Sequence, residues 1–395
     1  MKDGWPQKPI AEVCRIVNGG TPRTDVPQYW NGKHAWITPA EMGKRSTPYA
    51  SETLRKLSDL GLQDSSATLL PPLSVILSSR APIGHLVIND VPMATNQGCK
   101  GLVPGETLDH KFLYYFLLGN VELLNALGTG ATFKELSASK LKEITMPVPP
   151  LEDQRRIVGI LDKAFAAIAT AKANTEKNLQ NAHALFEGHL NAVFARPGQG
   201  WTSCRLADCL ELITYGFTNP MPTAQTGPYM VTAKNVTDGR IDYARSRHTS
   251  QEAFDKLLTD KSRPKIGDVL LTKDGTLGRL AVVEKANLCI NQSVALLRPN
   301  GQMESHFMRY LLSSPTYQSL MIGNADGATI KHIYITRVDK MNVAFPRVDD
   351  QRRIVDTLSE LAERSRLLVR MCRQKLDALE ALKKSLLHEA FNGRL

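Results

Sequence analysis

Between Val348 and Phe391 the apolar residues Ile354, Leu358, Leu361, Leu368, Leu379, Leu382, Leu386 and Ala390 keep a three- and four-residue spacing, with Arg, Lys and Glu between them. That spacing gathers side chains on one stripe of an α-helix. The segment has no proline, so it predicts one long helix with a coiled-coil-like seam. Residues 151–195 repeat the pattern less regularly: Ile157, Leu161, Ala164, Ile168 and Ala171, a polar interval, then Leu179, Ala182, Leu185 and Val193. Both helix starts are signalled. Met146-Pro-Val-Pro-Pro150 and Phe345-Pro346 hold the preceding chain extended. Glu152-Asp153 and Asp349-Asp350 place carboxylates in the first turn, where the helix dipole favours them. Pro197-Gly198 ends the first helix.

Ahead of each helix lie about 150 residues of another texture, broken by Gly and Pro. Short β-branched runs stand out at Ser74–Leu77, Leu86–Ile88, Val269–Thr272 and Leu280–Val283. These stretches read as mixed α/β globular domains with many short strands.

The chain is written twice. Val75–Gly84 (VILSSRAPIG) answers Val269–Gly278 (VLLTKDGTLG), and Asn96-Gln97 answers Asn291-Gln292. Gly130-Ala-Thr-Phe-Lys134 answers Gly327-Ala-Thr-Ile-Lys331, and Asp153-Gln-Arg-Arg-Ile-Val158 answers Asp350-Gln-Arg-Arg-Ile-Val355. Trp5 and Trp201, then Ile37-Thr38 and Val231-Thr232, extend the match toward the start of each copy. A collinear offset that drifts slowly, from 194 to 197 residues, marks duplication with small loop insertions. The expected organisation is domain 1–150, helix 151–198, domain 199–347 and helix 348–395. Antiparallel packing is the natural way for the two helices to bury their stripes. It would set the domains at opposite ends of a stiff rod, about a pseudo-twofold axis.

Charge narrows the function. A net charge of +10 and a pI of about 9.2 favour a polyanionic partner, since each Lys or Arg beside a phosphate releases counterions. The opening Met1-Lys-Asp-Gly-Trp-Pro6 lacks the apolar core of a signal peptide, and the apolar run at Thr68–Leu77 is broken by Pro71-Pro72. A cytoplasmic protein with reduced cysteines (14, 99, 204, 209, 289, 372; no C-x-x-C) is expected. Catalytic signals are missing: there is no G-x-x-x-x-G-K-[ST] loop and no His/Cys spacing suited to a metal. Asn219-Pro-Met-Pro222 does not make an Asn/Asp-Pro-Pro-aromatic methyltransferase motif.

Several segments resemble one family. Gly19-Gly-Thr-Pro-Arg23, Tyr29-Trp30, Gly32 and Trp36-Ile-Thr38 look like the opening motif of type I restriction specificity subunits. Pro149–Val158 and Val348–Val355 resemble the signature of that family's conserved helices, twice. The resemblance implies two target recognition domains, each reading one half of a split double-stranded DNA target. It implies helices that fix the spacer and dock two methyltransferase subunits, with restriction motor-nuclease subunits joining that core. The chain itself would be non-catalytic and without a cofactor, and S-adenosylmethionine would belong to the methyltransferase partner. The second copy departs from the opening motif, having Tyr215-Gly-Phe-Thr-Asn-Pro220 instead.

Candidate DNA contacts follow from residue chemistry. Lys273 and Arg279 suit phosphates or guanine, Asp274 suits cytosine N4, and Thr276 sits between them on a Gly-permitted turn; Ser79 and Arg80 are the counterparts. Thr38, Thr232, Lys234 and Asn235 share a strand-end position, and Gln97 and Gln292 suit adenine. Arg23, Lys134, Lys331 and His332 are basic candidates, the last three as phosphate contacts. Asp153, Gln154, Arg155, Arg156, Asp350, Gln351, Arg352 and Arg353 are expected to face the partner subunits, against a rival reading as helix caps with solvated arginines. A duplicated scaffold that joins enzymes without reading DNA is the competing function. A stand-alone modification enzyme is disfavoured by the missing motifs.

Overall fold

The computed structural model describes residues 5–80, 82–130, 134–323 and 332–395. The chain forms two compact units. The first comprises Met1–Thr175 with Gln374–Leu395, and the second comprises Glu176–Arg373.

The first unit holds a five-stranded sheet in the order Cys14–Asn18, Cys99–Pro104, Val75–Ser79, Ile83–Asn89, Tyr49–Ala50, antiparallel except for the last pairing. A three-stranded sheet, Arg55–Leu57, Trp30–Ile37 and Met93–Thr95, lies in the same unit. The second unit repeats the plan. Leu210–Tyr215, Val294–Pro299, Val269–Thr272 and Leu280–Val282 make an antiparallel four-stranded sheet. Arg247–His248, Ala224–Val231 and Leu288–Ile290 make the smaller one. In each copy the central strand is buried at every position, which is why Val75–Ser79 and Val269–Thr272 read as apolar runs and not as alternating strands.

The long helices are Leu151–Phe194 and Val348–Phe391, each 44 residues. The first unit takes the start of one and the end of the other into its core. Ile157, Leu161, Leu387 and Ala390 pack with Phe112, Leu113 and Leu117 of the helix His110–Gly119 and with Val75, Leu77 and Leu102 of the sheet. Phe391 meets Phe112 edge-on at 5.0 Å and Phe116 at 5.4 Å. Arg156 reaches the Leu395 carbonyl, Lys383 lies over the Phe165 ring and Lys172 pairs with Glu380, so the two helix segments run antiparallel there. The second unit does the same with Leu190, Phe194 and Leu358 around Phe307 and Leu311, and Ser365 Oγ donates to the Ala182 carbonyl at 2.9 Å.

The buried seam differs from the expected one in detail. It passes through Leu358, Ala362, Ser365, Val369, Cys372, Leu376, Leu379 and Lys383, each buried or half-buried, in strict 4-3 alternation. Leu368 and Leu382 lie off it and are 47 % exposed, as is Leu185 at 61 % in the first helix, where Phe186 takes the seam position. The polar interval of the first helix keeps the seam through Thr175, 2 % exposed, whose hydroxyl bonds back to the Ala171 carbonyl.

Candidate nucleic-acid interface

The central strand of each unit ends beside the same two neighbours. In the first unit Ser79 N–H donates to the Gly98 carbonyl, Leu136 N–H donates to the Ser79 carbonyl, and Arg80 bridges to Glu135. In the second, Lys273 N–H donates to the Ser293 carbonyl, Ile333 N–H donates to the Lys273 carbonyl, and Asp274 bridges to His332. One backbone scaffold thus carries opposite charge orders. Arg80 faces Glu135 at 3.7 Å, whereas Asp274 accepts from His332 Nδ1 at 2.5 Å and from Lys273 Nζ at 2.7 Å.

Burial raises the pKa of Asp274, but its bonds to Lys273 and His332 outweigh this and hold it below the usual value. It therefore stays an anionic acceptor at neutral pH, with lone pairs left on both oxygens. Lys273 Nζ also lies 5.3 Å from the centre of the half-exposed Tyr215 ring. Lys100 stands behind Glu135 at 4.0 Å; burial pushes its pKa down while Glu135 opposes the shift.

Around this pair each unit sets two further loops. Asn96 and Asn291 cap their own turns through side-chain oxygens that accept from Gly98 N and Ser293 N. The next residue, Gln97 or Gln292, is thereby left exposed at the tip. Gln97 Oε1 accepts from Thr21 Oγ1, tying that tip to the Gly-Gly-Thr-Pro loop. The loop's glycines answer to packing, because a Cβ on Gly19 would collide with the Asn96 carbonyl, while Trp36 Nε1 donates to the Gly20 carbonyl. Gly216 is the equivalent in the second unit, where a Cβ would collide with the Ile290 carbonyl, so the altered opening motif keeps its essential glycine.

Other candidates are held by structural bonds. Thr38 caps the short helix Pro39–Met42, accepting from Glu41 N–H. Thr232 donates to Asn235 Oδ1 in the equivalent turn, and Asn235 is only 6 % exposed. Asn235 is therefore no adenine reader in this state, and Lys234 beside it is the exposed group. Ser79 is fully buried with an unpartnered hydroxyl, which takes it out of reach of a groove. Arg23 is exposed and paired with Asp25 at 2.8 Å. Lys134, Thr276 and Arg279 are exposed, and Arg279 Nη1 donates to the Val236 carbonyl at 3.4 Å. Lys331 and the repeats at 131–133 and 327–330 lie outside the described residues. Glu135, Lys100 and Tyr215 escaped the sequence reading. Glu135 had a usable signal, since the repeat offset of 197 pairs it with His332.

The helix-start motif divides in function. Gln154 is fully buried: Oε1 accepts from Asp109 N at 2.8 Å, and Nε2 donates to the Thr107 and Pro149 carbonyls at 2.9 and 2.7 Å. Gln351 repeats this with Glu304 N, the Gln302 carbonyl and the Pro346 carbonyl at 2.8, 2.9 and 2.8 Å. These amides lock helix to domain, so the expectation that both glutamines face a partner is corrected. Arg155 is exposed, and Arg156 pairs with Asp153 one turn back. Arg352 and Arg353 are exposed and pair with Asp349 and Asp350.

The model of the type I restriction modification DNA specificity domain matches residues 2–181 and again 201–372. The chain belongs to that family. It is 25 % identical over 371 residues to the type I restriction enzyme MjaIX specificity subunit of Methanocaldococcus jannaschii, covering 87 % of this chain and 83 % of that one. It is 24 % identical to the EcoBI specificity subunit of Escherichia coli, over 77 % of this chain and 70 % of that one. Its fold resembles a chain solved in work on complex assembly and conformational transition of the type I R-M system, with a TM-score of 0.81, 21 % identity and coverage of 100 % and 99 %. The HsdS subunit of Thermoanaerobacter tengcongensis gives 0.63 at 19 % identity, covering 100 % and 98 %. Among the described residues no helix is long and apolar enough to cross a membrane.

Proposed function

We propose that this chain is the sequence-reading, non-catalytic subunit of a type I restriction-modification complex. Each unit reads one half of a split double-stranded DNA target through the loops at the end of its central strand. The long helices set the spacer and dock two methyltransferase subunits, and restriction motor-nuclease subunits join that core. S-adenosylmethionine belongs to the methyltransferase partner in this reading. The observation that carries it is the duplicated scaffold with unlike side chains, Arg80–Glu135 in one copy and Asp274–His332 with Lys273 in the other. A scaffold that only joined enzymes would have no use for two different polar faces on one backbone. Direct readout needs them, because donors and acceptors must match different base edges. The names of the relatives, all specificity subunits, point the same way.

The test is a map of modified adenines after co-expression with a modification subunit of the same system in a methylation-free host. A motif of two short halves around a fixed gap is expected, and exchanging residues 1–150 for those of a relative changes one half only. A stable complex that leaves no methylation, or a single unbroken motif, would sink the reading. Binding of the complex to duplex should also weaken steeply with salt, whereas a scaffold that does not touch DNA gives no slope.

A further inference from the structure

The second unit holds a group of arginines that its base-facing loops do not use. Arg309, on the helix Ser305–Ser313, is only 7 % exposed, and its Nε has no hydrogen-bond partner. Its guanidinium carbon stacks 3.7 Å from the centre of the Tyr310 ring. Burial pushes its pKa below the ordinary value, Tyr310 opposes this and Arg366 adds to it. A Cβ on Gly239 would meet Arg309 Nη1 at 2.6 Å and Arg366 Nη2 at 3.9 Å, so two guanidinia converge beneath one turn. That turn is Asp238-Gly239, with φ of 49° and 76°. Arg366 Nη2 donates to the Asp238 carbonyl at 3.1 Å, and Arg240 and Arg366 share the carboxylate of Glu363. Two guanidinia therefore share one carboxylate, and the third, Arg309, converges with Arg366 beneath the turn. The Asp238 carboxylate, on the turn itself, forms no ion pair with them among the described residues. Tyr310 and Glu304 offset part of the burial of Arg309, yet its Nε stays unpartnered, and a buried cation left incomplete is costly unless something anionic completes it.

The internal repeat supplies a control. Tyr310 corresponds to Tyr115, their hydroxyls meeting Ser359 and Asp162 at matching positions of the two long helices. Arg309 then corresponds to Tyr114, Glu363 to Ala166 and Arg366 to Ala169. The first unit builds the same helix against the same partner with none of these charges, so the fold does not require them. The hairpin Val236–Thr237 with Arg240–Ile241 also links the cluster to the candidate interface, since Arg279 is bonded at its base and the cluster sits at its turn.

We propose that Arg309, Arg366 and Arg240 form a phosphate site that takes a backbone phosphodiester of the duplex read by the second unit. The proposal rests on the DNA-reading function above. Guanidinia suit this task because their planar forks give two parallel bonds to a phosphate. Such a contact positions the duplex and carries no sequence information.

The experiment measures affinity of the full-length chain for a random-sequence duplex over a salt series. It compares wild type with Arg309→Tyr and Arg366→Ala, which install the first copy's residues, with Arg240→Gln on the surface, and with Lys273→Gln in the base-facing loops. Each cluster variant should weaken binding by a similar factor for every sequence and flatten the slope of log affinity against log salt by about 0.9 per lost contact. Circular dichroism checks folding, and Arg240→Gln carries the test if Arg309→Tyr does not fold. Cluster variants with the wild-type slope, alongside a flattened slope in Lys273→Gln, would overturn the phosphate site and leave the DNA reading standing. Absence of salt-dependent binding by wild type would overturn both. Thermal stabilisation of wild type but not Arg366→Ala by inorganic phosphate, with unchanged duplex slopes, would make this a free-anion site and overturn the duplex assignment.

Discussion

Replacing Gln154 with leucine lowers the unfolding free energy of the first unit by about 4 kcal/mol. The side chain is fully buried and makes three bonds to backbone groups from two segments, residues 107–109 and Pro149. Leucine fills nearly the same volume, so packing is kept while one N–H and two carbonyls lose their partner. Each buried orphan costs about 1–3 kcal/mol, and the sum is tempered because some of these groups relax toward water or new partners. Gln351→Leu should do the same to the second unit, through Glu304, Gln302 and Pro346. Denaturant unfolding of the intact chain, followed by far-ultraviolet circular dichroism, reads both. Unchanged stability with loss of methyltransferase binding would return the two glutamines to the partner-facing role that their place in a duplicated polar motif suggests.

That reversal illustrates what sequence carries and what it does not. The repeat and the two helices were legible because both signals are local: a spacing of three and four, prolines ahead of it, and the same text written twice. The burial of Gln154 was not, because it depends on where residues 107–109 return to the helix start, some 45 residues away in sequence. The seam departs from the apolar stripe at some positions for a related reason. An apolar-only reading follows Leu368 and Leu382, yet the 4-3 alternation runs through Ser365, Cys372 and Lys383, which half-bury without being hydrophobic. Asn235 was a reader by chemistry and a turn clasp in fact, because its oxygen is taken by Thr232. The pair proposed to face the bases is half visible in the sequence. Residue chemistry points to Asp274 and His332 one at a time, and only the bridge between them shows that they are neighbours with Arg80 and Glu135 as their counterparts.

The equivalence of those two pairs yields the second large effect, on specificity. Installing the second unit's pair in the first, Arg80→Asp with Glu135→His, should change the first half of the methylated motif and leave the second half and the gap alone. Lys100→Ala belongs in the same variant, because Lys100 is 7 % exposed beside Glu135 and would lose its ion pair with that carboxylate. Its counterpart on the equivalent strand is Ala295, so the site already exists in alanine form in this chain. Arg80 offers only donors, whereas aspartate offers only acceptors. The base edge preferred at that position must therefore change in kind. A good bidentate pair discriminates by about 1–3 kcal/mol, so methylation of the original target should fall by about 10- to 100-fold. The reciprocal variant, Asp274→Arg with His332→Glu, should alter only the second half. Modified-base sequencing of hosts carrying each variant separates the outcomes. If the motif survives both exchanges, these pairs brace the strand end and the bases are read elsewhere. If both halves change together, the two units do not read independently, and the division of the target between them is wrong.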